Sequence, residues 1–200
     1  MDVIIVAKTH MSNAACVGGV LANGRSVRLL NEYGYNQDSD SKLEVGEVYT
    51  ITFNERDYNR PPHVEDILVT SMSYKFAFPS IQKMVDYLTD KLNVTIWRGS
   101  PDSLFDGKLQ WTHNGSGYIS ERIFYEKVRY NYPSVSGWRS LPYVGFNEPI
   151  DTIPSGTLVR VSLARWWDRK GETEERCSLQ LSGWYLDTPE NEVENEDLPF

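Results

Sequence analysis

Apolar and polar positions alternate with a two-residue period in GEVYTITF (46–53), placing Tyr49, Ile51 and Phe53 on one strand face. DVIIVA (2–7) is a short apolar run suited to a buried strand, and EDILVTSMSY (65–74) reads as another. CVGGVLANGRSVRLL (16–30) sets Asn23-Gly24 between two apolar stretches, a hairpin signal because both turn residues tolerate positive φ. NERDYNRPPHVE (54–65) is a loop broken by two prolines. The period changes to that of a helix after Pro79. Ser80 can cap it, and Ile81, Met84, Val85, Leu88 and Leu92 share one face.

A second β-rich stretch follows. GKLQWTHNGSGYIS (107–120) reads as a hairpin around Asn114-Gly115. TLVRVSLARWW (157–167) and RCSLQLSGWYL (176–186) read as strands joined by the charged turn DRKGETEE, with RYNYPSVSGWRSLPYVGFNEP (129–149) as a long aromatic loop. Short strands, glycine turns and one clear helix predict a mainly β chain of two OB-like barrels. The expected divisions are 1–93, 94–186 and a disordered acidic tail, 187–200. No strand leads through a glycine-rich phosphate loop into a helix, which argues against a nucleotide-binding α/β fold.

Composition refines this picture. The chain is 40% hydrophobic and 12% aromatic, with a formal charge of −8 from 20 basic and 28 acidic residues. Six of the acidic residues lie in the tail, so residues 1–186 hold 20 basic against 22 acidic, a net of −2. An overall acidic chain therefore leaves room for a basic face on its body. Cys16 and Cys177 lack metal-ligand spacing and read as reduced thiols. The apolar start is too short for a signal-peptide core or a membrane span, so a cytoplasmic location without membrane contact is expected. There is no GxSxG, HExxH, Walker or CxxC motif, and the three histidines are scattered. His10 and Cys16 stand six residues apart, but spacing alone supplies no activated nucleophile. No enzyme activity, metal or cofactor is expected.

The last two strands and the aromatic loop carry the candidate chemistry. Alternation puts Arg160, Ser162, Ala164 and Trp166 opposite the apolar face of the first strand, and Ser178, Gln180, Ser182 and Trp184 opposite that of the second. Pairing Trp166 with Ser178 sets Arg160 opposite Trp184. The result is either an open face of indoles and arginine or one covered by the loop. Bases stack on flat rings while cations track phosphates. The loop offers Arg129, Tyr130, Tyr132, Trp138 and Arg139, and the strand tip offers Arg165, Arg169 and Lys170. Lys8, Arg25 and Arg28 are weaker candidates.

Two resemblances follow from these residues. KTHM, CVGG and SVRLL near the start, with RWW and RCSLQLSGWY near the end, resemble the bacterial dual OB-containing domain proteins, which implies two OB-type barrels. The closing residues Glu196, Asp197, Leu198, Pro199 and Phe200 resemble the acidic tip of bacterial single-stranded-DNA-binding protein (SSB). That resemblance implies a terminal phenylalanine entering a pocket on replication and repair enzymes, its α-carboxylate meeting a basic residue. A carboxylate beside an apolar anchor is a compact recognition handle. The leading expectation is a non-enzymatic protein that binds single-stranded nucleic acid, DNA foremost, and docks partners through its tip. The tip could also occupy the groove as an autoinhibitor. The alternative is a protein-interaction adaptor of a bacterial defence or mobile-element system, with no nucleic-acid contact.

Overall fold

The computed structural model describes residues 1–58, 60–110, 114–166 and 175–186. The expected acidic tail, Arg169 and Lys170 lie outside the described residues.

Six strands build the first sheet: β1 (Asp2–Met11), β2 (Ala14–Leu21), β3 (Ser26–Asn31), β4 (Gln37–Asp38), β5 (Glu47–Glu55) and β6 (Asp66–Ala77). β1 pairs with both β2 and β5, so five of them close into a barrel in the order β1-β2-β3-β6-β5. The β3–β6 pairing is parallel and the others are antiparallel. Val3, Ile5, Val17, Leu29, Ile51 and Ile67 fill the interior. Ile4, Val6, Val20 and Val48 point outward, beneath Phe78 and the buried Met84 and Leu88 of α1 (Ile81–Asp90). β1 is thus covered on both faces, which is why its sequence is an unbroken apolar run. The hydroxyl of Ser80 accepts from Lys83 N at 3.2 Å and caps α1 as expected. Gly24, at φ +83°, turns β2 into β3.

Among the described residues eight strands follow: β7 (Ile96–Gly99), β8 (Asn114–Ile119), β9 (Ile123–Glu126), β10 (Arg129–Ser134), β11 (Gly137–Pro142), β12 (Thr152–Ile153), β13 (Leu158–Leu163) and β14 (Leu179–Tyr185). They form two four-stranded sheets, β14-β13-β8-β7 and β11-β10-β9-β12. Both enclose one core that includes Phe105, Ile119, Tyr130, Tyr132, Val159 and Leu181. Leu104 and Phe105 enter it from a π-helical turn, Leu104–Lys108. The sheets meet where Tyr143 bridges to Leu181 and Val144 N donates to Leu181 O at 3.0 Å.

Two local expectations change. Asn114-Gly115 is no turn. It lies inside β8, opposite Ser162 and Val161 of β13. Gly117 of this stretch serves packing: a Cβ there would meet Trp97 O at 3.2 Å and the Leu104 side chain at 3.3 Å. The aromatic loop is also ordered at its start, where β10 and β11 form a hairpin.

The two units meet along a seam. His10 N donates to Val144 O at 2.8 Å, and the His10 ring stacks on Phe146 at 3.9 Å. Tyr185 donates to Val6 O at 3.0 Å. Among the described residues, no helix is long and apolar enough to cross a membrane.

Candidate nucleic-acid interface

The β13–β14 pair departs from simple alternation. Val161 faces Leu181, but Arg160 faces Gly183 and Val159 faces Trp184, so β14 carries one extra residue between. This bulge flips every side chain beyond it. Trp184 turns to pack against the core that contains Leu181, and Tyr185 turns to the seam. The expected pairing of Arg160 with Trp184 is therefore replaced. Ala164, not Trp166, meets Ser178, its N donating to Ser178 O at 2.8 Å. Arg160 keeps its expected face, but the seam covers that face. It is 4% exposed and donates Nη1 to Ser116 Oγ at 3.0 Å. Burial pushes its guanidinium below the ordinary range. Neither Arg160 nor Trp184 forms an open stacking face.

Tyr130 and Tyr132 are also core residues, at 0% and 2% exposure. The Tyr130 hydroxyl donates to Ile150 O at 3.0 Å and accepts from Ile150 N at 3.1 Å. Tyr132 donates to Asp106 at 3.2 Å. Burial raises both phenols, and the Asp106 charge raises Tyr132 further. On β10, alternation therefore puts Tyr130 and Tyr132 inside and Arg129 outside.

The arginines do converge. A groove of about 580 Å³ runs between β11 and β14, reached by Arg129, Arg139, Arg165 and Arg176. Among the described residues its lining holds four arginines and one carboxylate, Asp106, in a chain of formal charge −8. Arg129 reaches over the edge strand, donating Nε to Ser140 Oγ at 2.7 Å and Nη2 to Ser140 O at 3.0 Å. Arg139 pairs with Asp106 at 2.8 Å. Burial raises the Asp106 carboxyl, and Arg139 partly offsets that.

Trp138 and Trp166 lie elsewhere. Trp138 is 69% exposed, outside the groove lining, with Phe124 at 6.1 Å in an edge contact. Trp166 is half-buried at the seam. Its Nε1 donates to Pro61 O at 2.9 Å, and Arg60 covers one ring face at 4.5 Å. Lys8 pairs with Glu44, Arg25 with Glu55, and Arg28 with Asp66.

A closed five-stranded barrel followed by a second β unit suits the one comparison that is decisive. A family model, the dual OB-containing domain, matches residues 1–132. The chain belongs to this family. The match spans the first barrel and ends within β10 of the second unit. No curated protein sequence matches. Solved structures to which the chain is similar include "murine DNA binding protein bound with ds DNA", at 11% identity over 94% of this chain and 92% of that one, TM-score 0.33. Another is "Ifi202 HINa domain in complex with 20bp dsDNA", at 10% identity over 91% and 95%, TM-score 0.31.

In this family member, sequence reasoning missed Arg176, Asp106 and the inter-unit contacts of residues 60–66. Arg176 is the first residue of the expected strand 176–186, so its charge was readable but its neighbours were not. At the seam Cys177 Sγ lies 3.6 Å from His63 Nε2, and His63 Nδ1 lies 3.7 Å from Glu65. This order of groups resembles a nucleophile, base and orienting carboxylate. Burial pushes the Cys177 thiol up, away from the reactive thiolate, and His63 Nε2 also lies 3.1 Å from Ala164 O. Cys16 and Cys177 are both free. Among the described residues, no group of three or more His, Cys, Asp or Glu could hold a metal ion.

Proposed function

We propose that the chain binds single-stranded nucleic acid, DNA foremost, with the phosphates of the strand in the β11–β14 groove. The observation carrying this reading is the concentration, among the described residues, of four arginines against one carboxylate in the groove of an otherwise acidic protein. The cleft lies between strand edges, a shape that suits one phosphate backbone. Trp138 and Phe124, beside the hairpin, offer rings on which an emerging base could stack. The role is binding, not catalysis, consistent with a Cys177 thiol held protonated by burial.

Fluorescence anisotropy with labelled oligonucleotides tests this. Affinity should fall as salt rises. Arg129→Gln and Arg139→Gln should each weaken binding by about 5–10-fold and lower the salt slope by about one. Cys177 lines the groove, so a bound strand should slow its alkylation. Matched DNA and RNA oligomers decide the sugar. Absence of binding by the full chain and by a chain ending at Leu186 would sink the reading.

For the acidic tip, we propose docking into a basic pocket of a partner protein, supported by the order acidic, aliphatic, proline, phenylalanine in 196–200. Deleting Pro199 and Phe200 should abolish partner capture and leave oligonucleotide affinity intact. Survival of capture would reduce the tip to plain charge.

A further inference from the structure

The seam holds a second basic feature, built around a carboxylate. Asp66 opens β6 and is fully buried. Three arginines converge on it. Arg28 of β3 donates Nε and Nη2, each at 2.6 Å. Arg56, just past β5, donates Nη1 to Oδ2 at 2.5 Å. Arg165, just past β13 in the other unit, donates Nη2 to the same Oδ2 at 3.4 Å. Buried Glu65, 3.7 Å from His63, is the carboxylate next to Arg28, so among the described residues three arginines face two carboxylates.

The three arginines are not equivalent. Arg28 is buried and held by a two-point grip. Arg56 and Arg165 have side chains 38% and 45% exposed, and each gives Asp66 a single N–H. A guanidinium carries five donors, so both retain N–H groups for another acceptor. Because they reach the same oxygen, their donor nitrogens lie within about 6 Å of each other, a spacing one phosphate can bridge. Two like charges this close favour an anion between them. Arg165 also lines the β11–β14 groove, so this point continues it.

We propose that Arg56 and Arg165 together grip one backbone phosphate of the bound strand, with Asp66 as the positioning residue that aims them. The strand then passes from the second unit onto the first, and its binding clamps the seam. This inference rests on the nucleic-acid reading above and adds Arg56 and Asp66 to Arg165, which the sequence already singled out.

The test uses the full chain and a labelled thymidine oligonucleotide, read by anisotropy across a salt series. Arg56→Gln should weaken binding about 3–10-fold and lower the salt slope by about one. Arg56→Lys should restore the slope but only part of the affinity, because an ammonium keeps the charge and loses the fork. Arg56→Gln and Arg165→Gln should combine less than additively, since both act on one phosphate. Lys127→Gln, at an exposed turn outside both the groove lining and the Asp66 cluster, is the control. Both arginines are partly exposed, and a thermal melt confirms folding of each variant. If Arg139→Gln weakens binding while Arg56→Gln behaves like Lys127→Gln, the seat is overturned and the groove reading stands. If the wild-type chain binds no oligonucleotide, both are overturned.

Discussion

Arg160 is a cation in a place that rewards none. Its Nη1 has Ser116 as partner, while Nε and Nη2 have no partner among the described residues. Removing a charge from water is costly when its hydrogen bonds are incomplete. Arg160→Met keeps the length of the side chain and removes that cost. The variant should be as stable as the wild type or more so, by about 1 kcal/mol, in urea denaturation. Oligonucleotide affinity should not change. A folded Arg160→Met chain with weakened binding would return Arg160 to the interface. Strand alternation assigns Arg160 correctly to the side away from the core. That the other unit covers this side depends on contacts such as Tyr185 with Val6, nearly the whole chain apart.

The bulge in β14 decides what the strand presents. With strict alternation, Trp184 would share a face with Gln180 and Ser182. One inserted residue puts it with Leu181 instead. Gly183 sits beside the inserted residue. A Cβ there would lie 2.7 Å from the Tyr185 hydroxyl oxygen and 3.1 Å from its ring carbon. Gly183→Ala should therefore displace Tyr185 and destabilise the protein by about 1–3 kcal/mol in the same denaturation assay. Wild-type stability in this variant would show that the phenol has room to move. Elements governed by near neighbours were readable in advance. α1 followed from a 3.6-residue period with Ser80 at its start, and the β2–β3 turn from Asn23-Gly24. The NGSG stretch misled for the opposite reason: its Gly117 answers to Trp97 on the neighbouring strand and to Leu104 of the π-helical turn, not to the chain beside it.

Across the whole molecule, the two units are joined through polar groups with strong pH preferences. Burial pushes the Tyr185 phenol up to about 12, with Arg160 pulling the other way. An unfolded tyrosine ionises near pH ~10. Below that pH both states are neutral and the stabilisation is complete. Between the two values the unfolded chain loses its proton and the folded chain keeps it. Stability therefore falls as pH rises from about 10 towards 12. Tyr185→Phe should lose about 1 kcal/mol at neutral pH with the bond to Val6 O, and should show a shallower alkaline decline. Melting temperatures of both chains from pH 8 upward check this. Parallel curves would mean that Tyr185 does not stay protonated at the seam.

The sequence by itself determined the mainly β class, the capped helix, the first hairpin and the uneven distribution of charge. Each depends on a short window: a period, a cap, a turn pair or a count. Only the tertiary structure decided which strand faces are sealed, and that Tyr130, Tyr132, Arg160 and Trp184 lie inside. It alone gathered Arg129, Arg139, Arg165 and Arg176 around one groove and set Arg56 beside Arg165 on Asp66. The physical reason is that strand register and seam packing are settled between residues far apart in the chain, where one extra residue in a ladder reverses every side chain beyond it.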